Sequence, residues 1–150
     1  MITATLEIMA KYGEGIAWQN DHVLPHWVLQ HMDITITHLD EESATFVLDH
    51  NSDLFRRFPP PRDERYLSGQ AVMALADSLL IFPVIAANGH DKSLATLDLS
   101  TQFLKPVFPG DIRIEARIIQ NGRRAVRGVV DIYDKDDRHC ATSMICYMVV

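Results

Sequence analysis

Ser68-Gly69-Gln70-Ala71-Val72-Met73-Ala74-Leu75-Ala76-Asp77-Ser78-Leu79-Leu80-Ile81-Phe82, running on through Pro83 to Asn88-Gly89, is the segment around which the rest of the chain is organised. Apolar residues dominate it, and its polar residues form no stripe at helical spacing. A helix that is apolar on all sides is a buried helix. Interrupted by Asp77 and Pro83, the run reads as too short for a membrane span. Ser68 suits an N-cap and Asn88-Gly89 a C-terminal stop. Pro83 lacks an N–H and crowds the preceding turn, so it either kinks the helix or begins a second segment.

Asp77 is the only acidic or basic side chain between Arg65 and His90. A lone carboxylate in such surroundings is costly unless something pairs with it or uses it. It is either satisfied by a neighbouring hydroxyl or wet seam, or held in an apolar pocket as a catalytic base or nucleophile.

Outside the helix the dominant period is two. Residues 32–39 and 44–50 read as a hairpin, with Ile34 and Ile36 on the buried face. After the helix, strands are expected over 93–104, 111–120, 123–134 and 139–149. In the second of these Ile112, Ile114, Ala116 and Ile118 point inward, and Asn121-Gly122 is a strong hairpin turn. Residues 93–104 divide into Leu94, Thr96, Asp98, Ser100 and Gln102 on one side and Ala95, Leu97, Leu99, Thr101 and Phe103 on the other. Residues 51–66, with Pro59-Pro60-Pro61, are expected to form a long exposed loop. Residues 2–12 suggest a short amphipathic helix. Residues 16–31 are read as irregular, a loop or short helix that covers the core or lines a pocket. Without a cysteine nearby, His22, His26 and His31 are not taken as metal ligands, and no metal site is expected.

Two strands, one apolar helix and four more strands leave one antiparallel sheet and one helix that must be buried. The compact solution is an α+β fold in which the curved sheet wraps the helix. A free sheet edge would remain, and pairing such edges in a dimer relieves it.

Length and composition narrow the rest. At 150 residues the chain suits a single domain, 1–150, and 47% apolar content is enough for a core. A net charge of -6 argues against nucleic-acid binding. Cys140 and Cys146 lie six apart, too far along one strand for a disulfide, and read as packing residues of a reducing compartment. The first residues lack a basic segment followed by an apolar run, so neither a signal peptide nor a membrane anchor is expected, and the cytoplasm is the expected location.

From about residue 30 to the C-terminus the chain resembles the hotdog-fold proteins, and more narrowly the PaaI-like acyl-CoA thioesterases. The resemblance is carried by Ser68-Gly69-Gln70 with Asp77 in the following helix, by Thr96-Leu97-Asp98-Leu99-Ser100-Thr101-Gln102-Phe103-Leu104-Lys105-Pro106, and by Gly110-Asp111 followed by Asn121-Gly122-Arg123-Arg124. It implies a hotdog fold and hydrolysis of an acyl-CoA thioester to free acid and CoA, with no cofactor beyond the substrate. Asp77 falls at the family's carboxylate, as general base or nucleophile. Gly69 and Gln70, capped by Ser68, fall where helix N–H groups form the oxyanion hole, a role that free N–H groups at a positive helix end suit on physical grounds. Thr96 falls at a hydroxyl that orients water or the carboxylate.

In the family the N–H donor and the carboxylate meet across a dimer interface, so a homodimer or homotetramer is implied. Arg123, Arg124 and Lys105 are assigned to the CoA phosphates, with Arg127, Arg56, Arg57, Arg62 and Arg65 as further cations. Met73, Phe82 and Trp27 are expected to bound the acyl site. Where PaaI-like members usually carry His-Gly-Gly, this chain has Ser68-Gly69-Gln70. That departure leaves a non-catalytic acyl-CoA binding module as the alternative. A hydratase ranks lower, because no His lies within 51–89.

Overall fold

The computed structural model describes residues 1–49 and 52–150. The chain runs β1 (Ile2–Ala4), α1 (Leu6–Trp18), a π-helical turn at Gln19–Val23, α2 (His26–His31), β2 (Ile34–Leu39) and β3 (Ser43–Leu48). A 3-10 turn at Ser52–Leu54 leads into β4 (Phe55–Arg57) and β5 (Arg65–Leu67), and then to α3 (Gly69–Leu79) and α4 (Ile81–Asn88). Four long strands follow: β6 (Leu94–Phe103), β7 (Ile112–Asn121), β8 (Ala125–Tyr133) and β9 (His139–Val149). Seven strands form one sheet in the order β1-β2-β3-β7-β8-β9-β6, and β4 and β5 form a separate two-stranded sheet. This is the hotdog arrangement, a curved and largely antiparallel sheet around one long helical run.

The helical run follows its local signals. Ser68 adopts an extended backbone and its Oγ accepts the Ala71 N–H at 3.2 Å. Pro83 has no N–H to give back to the preceding turn, and the run divides at Leu80 into α3 and α4. Gly89 closes it with φ 83°, a conformation that suits glycine, and donates to the Ile85 carbonyl at 2.8 Å. From Gly69 to Asn88 the run spans 20 residues with mean hydropathy 1.8, so its length alone does not exclude a membrane span. What separates it from one is that half of it is buried against the sheet. Val72, Leu75, Ala76, Leu79 and Leu80 are buried, and Phe82 meets Phe46 edge-on at 5.9 Å between ring centres. Each large apolar side chain buried this way contributes about 2 kcal/mol.

Three expectations need correction. Residues 2–12 are not one helix: Ile2–Ala4 pairs in parallel with Ile34–Ile36, and the helix occupies Leu6–Trp18. The outer edge of β1 is closed by Asn20, whose side chain accepts the Ile2 N–H at 3.2 Å and donates to the Ile2 carbonyl at 2.8 Å. Residues 16–31 are mostly helical rather than irregular. Residues 51–66 are not a plain loop, because Phe55–Arg57 pairs with Arg65–Leu67 and leaves the three prolines in the turn, outside the ladder. This hairpin is tied to the body by Leu67 N–H to Val107 O at 2.8 Å and Ser68 N–H to Leu54 O at 2.9 Å. The expected strand 44–50 ends at Leu48; its last residue, His50, and Asn51 lie outside the described residues.

Candidate active site

The site is built on two ends of α3. Asp77 lies on the third turn of the helix and is half-buried. Its Oδ1 accepts the Thr96 hydroxyl at 2.6 Å, and its backbone carbonyl accepts the Tyr147 hydroxyl at 2.5 Å. Tyr147 is buried on β9, directly opposite Thr96 in the β6–β9 ladder. Burial, reinforced by the Asp77 charge, pushes its phenol well above the ordinary value, so Tyr147 stays a neutral donor.

These residues open into a cleft of about 260 Å³. One wall comes from α3 and α4 (Ala74, Ser78, Ile81) and another from the sheet (Leu94, Thr96, Tyr147). The third comes from the N-terminal segment through Val23, Leu24, Pro25, Trp27 and Val28. Apart from Asp77 the lining carries no charged side chain.

The other end of α3 faces a different cleft, of about 480 Å³. The N–H groups of Gly69 and Gln70 belong to the first helical turn and have no intrahelical partner, whereas that of Ala71 is taken by Ser68. Gly69 is half-buried with the Phe103 ring against it, and the Gln70 side chain is exposed. Around them lie the β4–β5 hairpin (Arg56, Phe58, Tyr66, Leu67) and the end of β6 with its following turn (Phe103, Leu104, Lys105).

Not all the expected site residues come together. Asp77 and Thr96 are in direct contact, and Gly69, Gln70 and Ser68 cluster at the helix start, Ser68 as the cap. Eight residues of helix separate Gly69 from Asp77, a rise of ~12 Å, so the two groups of one chain face different clefts. Lys105 shares the cleft of Gly69. Arg123 and Arg124 do not: Lys105 N–H bonds to the Cys140 carbonyl at 3.0 Å and the Arg124 carbonyl accepts from Val149 N–H at 2.9 Å. Those two anchor points, Cys140 and Val149, are nine positions apart along β9, ~30 Å of extended chain. Within one chain, then, the three cations do not form one phosphate site.

Of the residues expected to bound the acyl group, Trp27 lines the Asp77 cleft. Met73 is exposed and absent from its lining, and Phe82 is fully buried in the core. Tyr147 was not among the expected site residues; it is one of three hydroxyl side chains on β9, with Thr142 and Ser143, and only its pairing opposite Thr96 singles it out. The sequence reading also missed the hairpin, whose prolines masked two short strands. Among the described residues no group of three or more His, Cys, Asp or Glu is placed to hold a metal ion.

Comparison with known proteins points one way. The family model of the thioesterase superfamily matches residues 66–141. No curated protein matches the chain. Solved structures share its fold: a thioesterase of Haemophilus influenzae is 21% identical with a TM-score of 0.70, covering 82% of each chain. A hypothetical thioesterase of Streptococcus pneumoniae, solved with coenzyme A, is 16% identical with a TM-score of 0.67, covering 78% of this chain and 85% of its own. A Streptococcus mutans protein bound to acetyl-CoA is 15% identical with a TM-score of 0.67, covering 86% and 94%. At these identities the likeness is one of fold.

Proposed function

The chain belongs to the thioesterase superfamily, and on that premise we propose that it hydrolyses an acyl-CoA thioester to the free acid and coenzyme A. The observation that carries this reading is the Asp77 carboxylate, held in the lining of a largely apolar cleft by the Thr96 hydroxyl at 2.6 Å. One oxygen is engaged by Thr96, which leaves the other to take a proton from water. The water oxygen attacks the thioester carbonyl carbon as Asp77 accepts the proton. The charge that gathers on the carbonyl oxygen is met by the N–H groups of Gly69 and Gln70 at the positive end of α3. Collapse of the tetrahedral intermediate breaks the C–S bond, and the proton passes to the leaving sulfur. Coenzyme A as the thiol is supported by two fold relatives solved with coenzyme A and with acetyl-CoA.

The reading includes a dimer. The β1 edge of the sheet is closed by Asn20, but β6 lies at the other edge, ten residues long, with Leu97 60% and Phe103 56% exposed. A two-fold pairing through β6 runs antiparallel, so the Leu94 end of one copy meets the Phe103 end of the other. Asp77 lies at the Thr96 end and Gly69 at the Phe103 end. The pairing therefore brings Gly69 of the partner subunit towards Asp77, and the ~12 Å separation within one chain ceases to matter.

The alternative, a binding module without turnover, is favoured by the start of α3, where Ser68 caps the helix and no imidazole is present. Thiol release from a panel of acyl-CoAs, with Asp77→Ala alongside, separates the two. Hydrolysis is expected to fall by about 10²–10⁴ in the variant while its thermal unfolding midpoint stays close to that of the parent. Full activity in Asp77→Ala would sink the mechanism, and binding without release by the parent would leave the module.

A further inference from the structure

We propose that Tyr147 is a second positioning residue of the site, holding the main chain of Asp77 while Thr96 holds its carboxylate. The inference deepens the thioesterase reading and rests on it.

One pair of facing residues grips Asp77 at both ends. Thr96 on β6 and Tyr147 on β9 lie directly opposite each other in the ladder, and both line the cleft. The Thr96 hydroxyl donates to Oδ1 at 2.6 Å and the Tyr147 hydroxyl to the backbone carbonyl at 2.5 Å. The two supports are not equivalent. Thr96 stands on the edge strand, beside the shift in register between Thr96 and Asp98. Tyr147 stands on a strand flanked by β8 and β6, in regular register with Val126, and is 3% exposed. Tyr147 is therefore the rigid half of the grip.

The carbonyl it holds is one that the helix does not keep for itself. In an unbroken helix the N–H four residues on, that of Ile81, takes the Asp77 carbonyl. Here α3 ends at Leu79 and α4 begins at Ile81, so this carbonyl belongs to the last turn of α3. Acceptors of a last turn need partners from outside the helix, and the phenol is the one supplied. Without it the carbonyl is free to turn back towards Ile81, and that turn of the peptide carries the carboxylate away from Thr96. The same hydroxyl is not a proton donor to the leaving sulfur, because it is committed to the carbonyl and burial keeps the phenol from ionising.

Tyr147→Phe keeps the ring and removes the hydroxyl. With an acyl-CoA that the parent hydrolyses, kcat is expected to fall about tenfold and KM to stay the same. Calorimetry with an S-alkyl-CoA thioether, which cannot be hydrolysed, is expected to give equal affinities for parent and variant. Combined with Thr96→Val, the loss is expected to be smaller than the product of the two single losses, because both residues hold one carboxylate. An unchanged kcat overturns the proposal. So do fully multiplicative losses, or a fall in kcat matched by weaker thioether binding, which a general loosening of the cleft produces. If the parent releases thiol from no acyl-CoA, the hydrolysis reading has failed separately, and crystal structures of parent and Tyr147→Phe decide the grip. An Asp77–Thr96 hydrogen bond lost in the variant supports it; one retained overturns it.

Discussion

The Thr96 hydroxyl reaches the Asp77 carboxylate at 2.6 Å because β6 carries one residue more than its partner strand. Thr96 pairs with Tyr147 and Asp98 with the next residue of β9, Cys146, which leaves Leu97 unpaired as a bulge. Strict alternation places Thr96 and Phe103 on opposite faces of the strand, since they are seven apart. In the structure both meet α3, Thr96 at Asp77 and Phe103 at Gly69. The bulge turns one end of the strand over, and bulges often re-aim side chains in this way next to active sites.

Thr96 therefore acts on Asp77 through its hydroxyl rather than its shape. Thr96→Val keeps the β-branched outline and removes the hydrogen bond. We expect thioesterase kcat to fall about tenfold, with Thr96→Ser close to the parent and unfolding midpoints little changed. Equal activity in Thr96→Val would show that Asp77 needs no orienting partner.

In the proposed reaction the Asp77 cleft, about 260 Å³ and open to solvent, is the candidate seat of the acyl group. Its wall includes Trp27, which is half exposed and comes from the N-terminal segment outside the family match. Trp27→Ala opens that wall. The kcat/KM ratio of long-chain to short-chain acyl-CoA is expected to rise about tenfold, measured across a chain-length series. Acyl groups ending in a carboxylate are expected to remain poor substrates beside Asp77.

Gly128 is a packing glycine at the centre of β8. A Cβ there would lie 2.4 Å from Leu80 Cδ1 and 2.7 Å from the Arg117 carbonyl oxygen. Leu80 is fully buried at the junction of α3 and α4, so the helical run rests on the sheet where this side chain is missing. Gly128→Ala is expected to cost about 1–3 kcal/mol in denaturant unfolding. Adding Leu80→Ala is not expected to restore the parent, because the contact with the Arg117 backbone persists and a cavity is opened.

The β8–β9 turn confers acid sensitivity. Burial pushes the Asp134 carboxyl up, but the N–H groups of Arg138 and Asp136 and the Arg138 guanidinium, at 2.9–3.0 Å, together hold it below the ordinary aspartate value. A carboxyl depressed in the folded state contributes stability that is complete above the unfolded value of 3.8 and is lost as pH falls through the folded one. Asp134→Ala is expected to cost about 2 kcal/mol near pH 7. The gap to the parent should narrow below about pH 4 in denaturation followed against pH. A gap that widened in acid would contradict this account.

Much of the fold was open to reading in the residues themselves. The cap at Ser68, the break at Pro83 and the stop at Gly89 act within a few residues of themselves, and the inward set Ile112, Ile114, Ala116 and Ile118 follows the period of a half-buried strand. Asp77 stood out because a lone charge in an apolar helix demands an explanation, and Gly69 and Gln70 because a helix start leaves N–H groups open. The three-residue strands β1, β4 and β5 are too short to carry a period, and the prolines between β4 and β5 resemble those of a loop.

One buried helical run, a set of long antiparallel strands and a lone carboxylate within that run are legible in the residues alone, because local geometry and hydrophobic period are properties of neighbouring residues. Which groups meet depends on the packing of elements far apart in the chain. A bulge at Leu97 aims Thr96, a helix rise of ~12 Å parts Gly69 from Asp77, and the length of β9 parts Lys105 from Arg123 and Arg124. Register and distance are set by the strand or helix lying alongside, and no single stretch of chain contains that partner.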